Sequence, residues 1–139
     1  MKYWLIKSEP FKYSWEALLK DGTTHWDGVR NYAARNFMMQ MQVGDQLFFY
    51  HSNEGKEIVG IAEVSKTYYK DPTTDDDAWV VVDVIPKRSF ACPVSLVDIK
   101  KVEKLSQMVL LKNSRLSVQP VLKKEWDIIV ALSEGKPVI

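Results

Sequence analysis

Between Asp45 and Ile85 the chain is written in strand-length blocks of β-branched and aromatic residues, and this stretch constrains the fold more than any other. Gln46 to His51 is one block, Asn53 to Gly55 is a turn signal, and Ile58 to Tyr69 is a second, longer run. Lys70 to Asp77, KDPTTDDD, interrupts it and reads as a surface loop. Trp79 to Ile85 follows as a near-continuous apolar strand, and Pro86 predicts a bend or an edge there. Helices do not alternate with these strands at regular intervals, so the pattern points to an α+β fold with a curved mixed sheet rather than a doubly wound one.

The flanking segments fit that frame. Tyr3 to Lys7 reads as a mostly buried strand stopping at Pro10. Ser14 is positioned to cap a short helix from Trp15 to Lys20 that Gly22 ends. Thr23 to Trp26 is extended, Gly28 turns the chain, and Asn31 to Met41 is expected to be a helix with Ala33, Phe37 and Met41 on its buried stripe. A helix is expected over Asp98 to Leu111, with Val102, Leu105 and Val109 inward. Leu116 to Val121 reads as extended because Pro120 biases Gln119 away from helical angles. Lys123 to Ser133 reads as a final helix that packs Trp126, Ile129 and Val130.

With 139 residues, 46% hydrophobic and 27% charged, the chain is expected to form one domain over 1–139, and disorder and disulfide scaffolds are excluded. No apolar run approaches the ~18 residues of a membrane span. The opening MKYWLIKSEP is charged too early for a signal peptide, so a cytoplasmic protein with no membrane partner is expected. Net charge is +1, but the segments differ: residues 1–53 carry six basic and five acidic residues, 54–83 three and eight, and 84–139 ten and five. A basic surface on a nearly neutral protein is therefore possible.

Among chemistries, metal binding has little to work with: His25 and His51 are the only histidines and Cys92 the only cysteine. The glycines never cluster as a phosphate loop needs, and no cofactor is expected. Cys92 within ACPV reads as a buried small hydrophobe, not a nucleophile served by His51.

Four segments place polar groups where a packed element has no use for them. KSEP ends the first strand, WDGVRNYAARN surrounds a glycine turn and a helix entrance, YHSN ends the central strand, and SRLSVQP alternates Arg115, Ser117 and Gln119 against Leu116 and Val118. Separately they read as caps and turns. Together they suggest one cleft, and its residue types suit a planar polar ligand. A base drawn out of a strand needs aromatic stacking, hydrogen bonds to its edge and a cation for its phosphate.

These same segments, read as YWLIKSEP, WDGVRNYAARNFM, VGDQLFFYHSN, GIAEV, WVVVDV and SRLSVQPV followed by EWD, resemble the EVE domain family of the PUA-like superfamily over nearly the whole chain. The resemblance implies a PUA-like mixed β-barrel with flanking helices. It also implies non-enzymatic recognition of a modified base in DNA or RNA by base flipping, as in the related YTH and ASCH groups. Two departures stand out: Ala33 replaces a frequent Gln, and KDPTTDDD is shorter than the usual acidic insertion, which suggests a trimmed rim. The positions expected to border the pocket are Lys7, Ser8 and Glu9, Trp15, Trp26 to Asn31 (Trp26, Asp27, Gly28, Val29, Arg30, Asn31), Tyr50, His51, Ser52 and Asn53, and Arg115, Ser117 and Gln119.

Individual residues also have plainer roles. Trp79 and Trp126 are expected in the core, Trp4 in the core or as a pocket wall, Trp15 equally in the core or the pocket, and Met38, Met39 and Met41 as gap fillers or interface. Arg30 and Arg35 do not share a tight helical face, and either a solvated surface or a backbone-reaching role fits them. Against the base reader stand an enzyme on a nucleoside or nucleic acid with Glu9 or Asp27 as acid/base, and a ligand-free interaction adaptor. Paired carboxylates in a dry pocket would favour the first rival, and a cleft filled by its own side chains the second.

Overall fold

A computed structural model describes residues 1–136, and the last three positions of the expected 1–139 domain lie outside them. The strands are β1 (Tyr3–Ser8), β2 (Thr24–His25), β3 (Gln46–His51), β4 (Glu57–Lys70), β5 (Val80–Ser95) and β6 (Val118–Val121). They form one sheet in the order β2-β5-β4-β3-β1-β6, with β1 and β3 parallel and every other pair antiparallel. The helices are α1 (Trp15–Asp21), α2 (Tyr32–Gln40), α3 (Leu96–Lys100), α4 (Val109–Lys112) and α5 (Lys123–Ser133).

Two cores follow from the period of two along each strand. Trp4, Ile6, Leu47, Phe49, Val82 and Val84 face one core, covered by α1 and α2. Leu5, Phe48, Tyr50 and Ile58 face the other, where Ile99, Leu110, Trp126 and Ile129 close over them. Covering both faces explains why the strands read as continuous apolar runs. Trp126 lies flat on Phe48, ring centroids 3.8 Å apart and planes at 12°.

The mixed α+β architecture is as expected; the six strands pair in one sheet that does not close on itself, so the PUA-like mixed β-barrel is shown only as far as this mixed sheet with flanking helices. Its edges are β2, two residues long, and β6, which contains Pro120 and so lacks one ladder donor. Such strands terminate a sheet rather than pair with each other. Curvature comes from β4 and β5, whose register slips repeatedly, including where Pro86 stands opposite Ala62. β5 therefore runs on past Ile85. Between Ser89, opposite Gly60, and Val94, opposite Ile58, three more residues stand on β5 than on β4. Cys92 lies in that unpaired excess and is exposed, not the buried hydrophobe expected.

Three other expectations shift. The helix over Asp98 to Leu111 is broken into α3, a 3-10 turn at Glu103–Leu105, and α4. Ile99, Leu105, Met108 and Leu110 are all buried, and no single straight helix would turn all four inward. In α2 Ala34 and Met38 are buried and Ala33 is exposed, while Phe37 packs against the same core and Met41, just past the helix, is buried as expected. The Asn31 side chain accepts from Ala34 N–H at 3.0 Å, so Asn31 is the cap and the helix proper starts at Tyr32. Trp79 lies outside both cores, its ring centroid 4.9 Å from that of Tyr32.

Candidate functional site

Parallel pairing sets the C-terminal ends of β1 and β3 side by side, Lys7 opposite Tyr50 and Ser8 opposite His51. Beyond the strands Ser52 N–H donates to Ser8 O at 2.9 Å, and Lys7 N–H donates to Ser117 O at 3.0 Å. Three of the four polar segments thus meet at one end of the sheet. The fourth arrives through β2, whose continuation is held by Trp26 N–H donating to Val82 O at 2.8 Å.

The segments enclose an open cleft of about 720 Å³, within the range of small-molecule sites. Lys7, Ser8, Glu9, Trp26, Asp27, Gly28, Val29, Arg30, Ser52, Asn53, Arg115 and Ser117 line it, joined by Lys12, Tyr13, Thr24, His25 and Ser114. Tyr13 and Trp26 form an aromatic corner, centroids 6.3 Å apart and planes at 80°. Trp26 is backed edge-on by Phe49 at 5.4 Å and is only 8% exposed, so a small part of its surface faces the cleft.

Charge is distributed in a definite way. Glu9 accepts from Asn53 Nδ2 at 2.6 Å and lies 3.4 Å from Lys12 Nζ. His25 Nε2 lies 3.2 Å from an Asp27 oxygen at the rim. Lys7 Nζ donates to Ser114 O at 2.8 Å and stands 6.0 Å over the Tyr50 ring; burial lowers its pKa. Among the described residues, no hydrogen bond or ion pair engages the exposed Arg115 guanidinium.

The wall from Trp26 to Arg30 is fixed by Asp71, which lies in the stretch expected to be a surface loop and is fully buried. One carboxylate oxygen accepts from Gly28 N–H at 3.2 Å and Arg30 Nη1 at 3.0 Å; the other accepts from Thr73 N–H at 2.7 Å and Thr73 Oγ1 at 2.6 Å. Burial alone would raise its pKa, but the bonds from Thr73, Arg30 and Gly28 outweigh it and hold the carboxyl at about 2. Gly28 sits at φ 75°, a conformation that favours glycine. Arg30 also stands 5.6 Å from the Trp79 ring, and Arg35 4.9 Å from Tyr32, so both arginines are bound into the surface beside the cleft.

Five expected site residues do not line the cleft. Trp15 is buried in the first core, its indole N–H donating to Ser89 Oγ at 2.8 Å. His51 Nε2 accepts from Trp15 N–H at 3.1 Å, and burial lowers its pKa against the opposing pull of Glu57 and Glu16, which fits a neutral structural imidazole. Tyr50 is buried beneath Lys7. Asn31 is spent as the cap of α2. Gln119 is fully buried: β6 proper begins at Val118, which sets Gln119 opposite Leu5 with Nε2 donating to Leu116 O at 2.8 Å.

Conversely, Tyr13, Lys12, Thr24, His25, Ser114 and Asp71 were not singled out by sequence. For Asp71 a signal existed: Asp-Pro-Thr is the pattern of an aspartate accepting from the backbone two residues on. Among the described residues no group of three His, Cys, Asp or Glu side chains could hold a metal ion.

Residues 2–132 match the family model described as EVE domain. A crystal structure of an Agrobacterium tumefaciens protein superimposes with a TM-score of 0.94 at 46% identity, covering 96% of this chain and 93% of that one. Mouse thymocyte nuclear protein 1 is 37% identical over an alignment of 169 positions that covers 97% of this chain and 75% of the mouse protein. The human THYN1 protein, solved in complex with 5-methylcytosine-containing DNA, superimposes with a TM-score of 0.91 at 34% identity, covering 99% of this chain and 100% of that one. On the extent of these matches, the chain belongs to the EVE domain family.

Proposed function

We propose that the whole chain is a non-enzymatic module that binds a modified nucleobase of DNA or RNA, the base swung out of its strand into the cleft. The observation that carries this reading is the lining: an aromatic corner, neutral donors and acceptors, and rim cations in one open cavity. Stacking on an aromatic is worth ~1–3 kcal/mol per base, comparable with the few kcal/mol needed to unstack one. Lys7, Lys12, Arg30 and Arg115 supply cations for the adjoining phosphates. The likeness to human THYN1, solved with 5-methylcytosine DNA, makes that base in DNA the first ligand to test.

The rivals have less support. Glu9 is engaged by Asn53 and Lys12, and Asp27 by His25, an arrangement suited to fixed hydrogen-bonding groups rather than a free acid/base pair. An adaptor has no use for a cleft left open. No helix among the described residues is long and apolar enough to cross a membrane, and we take the cytoplasm as the site of action.

The test is a titration of modified against unmodified oligonucleotides at fixed salt, followed by tryptophan fluorescence. A fitted pocket should bind at least one modified base about tenfold tighter than its parent. Equal affinities across a thorough panel would leave only non-specific binding and refute the proposal.

A further inference from the structure

Beside the cleft stands an aromatic ring with no packing role. Phe11 is 69% exposed, and its ring has Lys12 Nζ 6.0 Å from the centroid. It sits on a braced turn. Pro10 occupies the second turn position, and Lys12 and Tyr13 N–H both donate to Glu9 O, at 2.9 and 3.0 Å. Ser8 Oγ donates to Tyr13 O at 2.6 Å, and Asn53 pins the Glu9 side chain at 2.6 Å. Glu9, Lys12 and Tyr13, flanking Phe11 in the chain, all line the cleft. Phe11 is not itself among the lining residues, so the braced turn holds a bare phenyl ring just outside the cleft.

Exposed Tyr32 differs, because its ring is already engaged by Trp79 and by the Arg35 guanidinium. Extracting a base from a duplex leaves a gap whose neighbours lose their stacking partners, and apolar side chains inserted between base steps can fill such gaps. A phenyl ring has the flat shape required and no polar group to desolvate. Lys12 beside it is placed for the phosphate of a flanking nucleotide.

We infer that Phe11 is a wedge that enters the stack of a duplex in place of the base the cleft receives, so that paired nucleic acid is the preferred ligand. This rests on the base-reader function proposed above.

The probes are a duplex with one 5-methylcytosine opposite guanine, the same strand alone, and unmodified versions of both, with 2-aminopurine beside the target base. Phe11→Ala should weaken binding to the modified duplex about tenfold, abolish the 2-aminopurine signal of unstacking, and change single-strand binding by less than about twofold. Phe11→Leu, which keeps an apolar wedge, should recover most of the duplex affinity. An unchanged melting temperature verifies that each variant is folded. Equal losses on duplex and single strand, or no loss on either, would overturn the wedge while wild-type preference for the modified base keeps the reader intact. Wild-type indifference to the modification in both forms would overturn the reader, and the wedge with it.

Discussion

Replacing Asp71 with Asn changes one atom of a buried side chain and tests how the cleft wall is held. The amide can keep its oxygen toward Thr73, but its NH2 group then meets two other donors, Gly28 N–H and Arg30 Nη1. Both lost bonds run to an ionised carboxylate, and at the low end of ~1.5–3 kcal/mol each they come to about 3 kcal/mol together. A second route gives a similar size: a carboxyl held at about 2 instead of 3.8 stores about 2 kcal/mol in the ionised native state. The expected loss is therefore about 2–3 kcal/mol at pH 7, a melting-temperature drop of roughly 6–12 °C for a domain of this size. The depressed pKa also fixes the sign of the pH dependence. This stability is complete well above the unfolded value of 3.8 and disappears as pH falls through about 2, so the gap between wild type and variant should shrink over that window. Denaturant unfolding at pH 7 and at several points from pH 5 to 2 measures both quantities. A variant of native stability, or a gap that stays constant down to pH 2, would refute the assignment of Asp71 as an ionised anchor.

Gly60→Ala should cost about 1–3 kcal/mol or more, because a Cβ there would lie 2.6 Å from Cε2 and 2.8 Å from Cη2 of the buried Trp15 ring; thermal unfolding measures it. Arg115→Ala should weaken oligonucleotide binding across sequences and reduce the slope of log affinity against log salt by about 1, with stability changed by under ~0.5 kcal/mol; titrations at several salt concentrations check this.

How much of this protein is readable without coordinates depends on whether a residue's role is local. The strand blocks, the turn at Asn53 to Gly55, the Ser14 cap and the terminal helix with Trp126 and Ile129 inward are all written in period, capping residues and turn formers. These signals act over a few residues, so they survive in any fold that accepts them. The segments forming the cleft were legible too, since KSEP, WDGVR, SN and SR place polar groups at element ends. Their convergence was not, because it depends on β1 pairing parallel to β3 and on Lys7 N–H reaching Ser117 O across the chain. Within those segments the sequence could not separate His51 from Ser52, or Gln119 from Ser117. All four are polar in or beside strand ends, and only the bond from Trp15 N–H to His51 and the pairing of Gln119 with Leu5 in the sheet decide which turns inward. Asp71 is the sharpest case. An aspartate in a short acidic loop reads as solvated, and it becomes a buried anchor only because the β4–β5 connection delivers it against the backbone of Gly28, whose N–H and neighbouring Arg30 supply enough hydrogen bonds to keep a charge out of water.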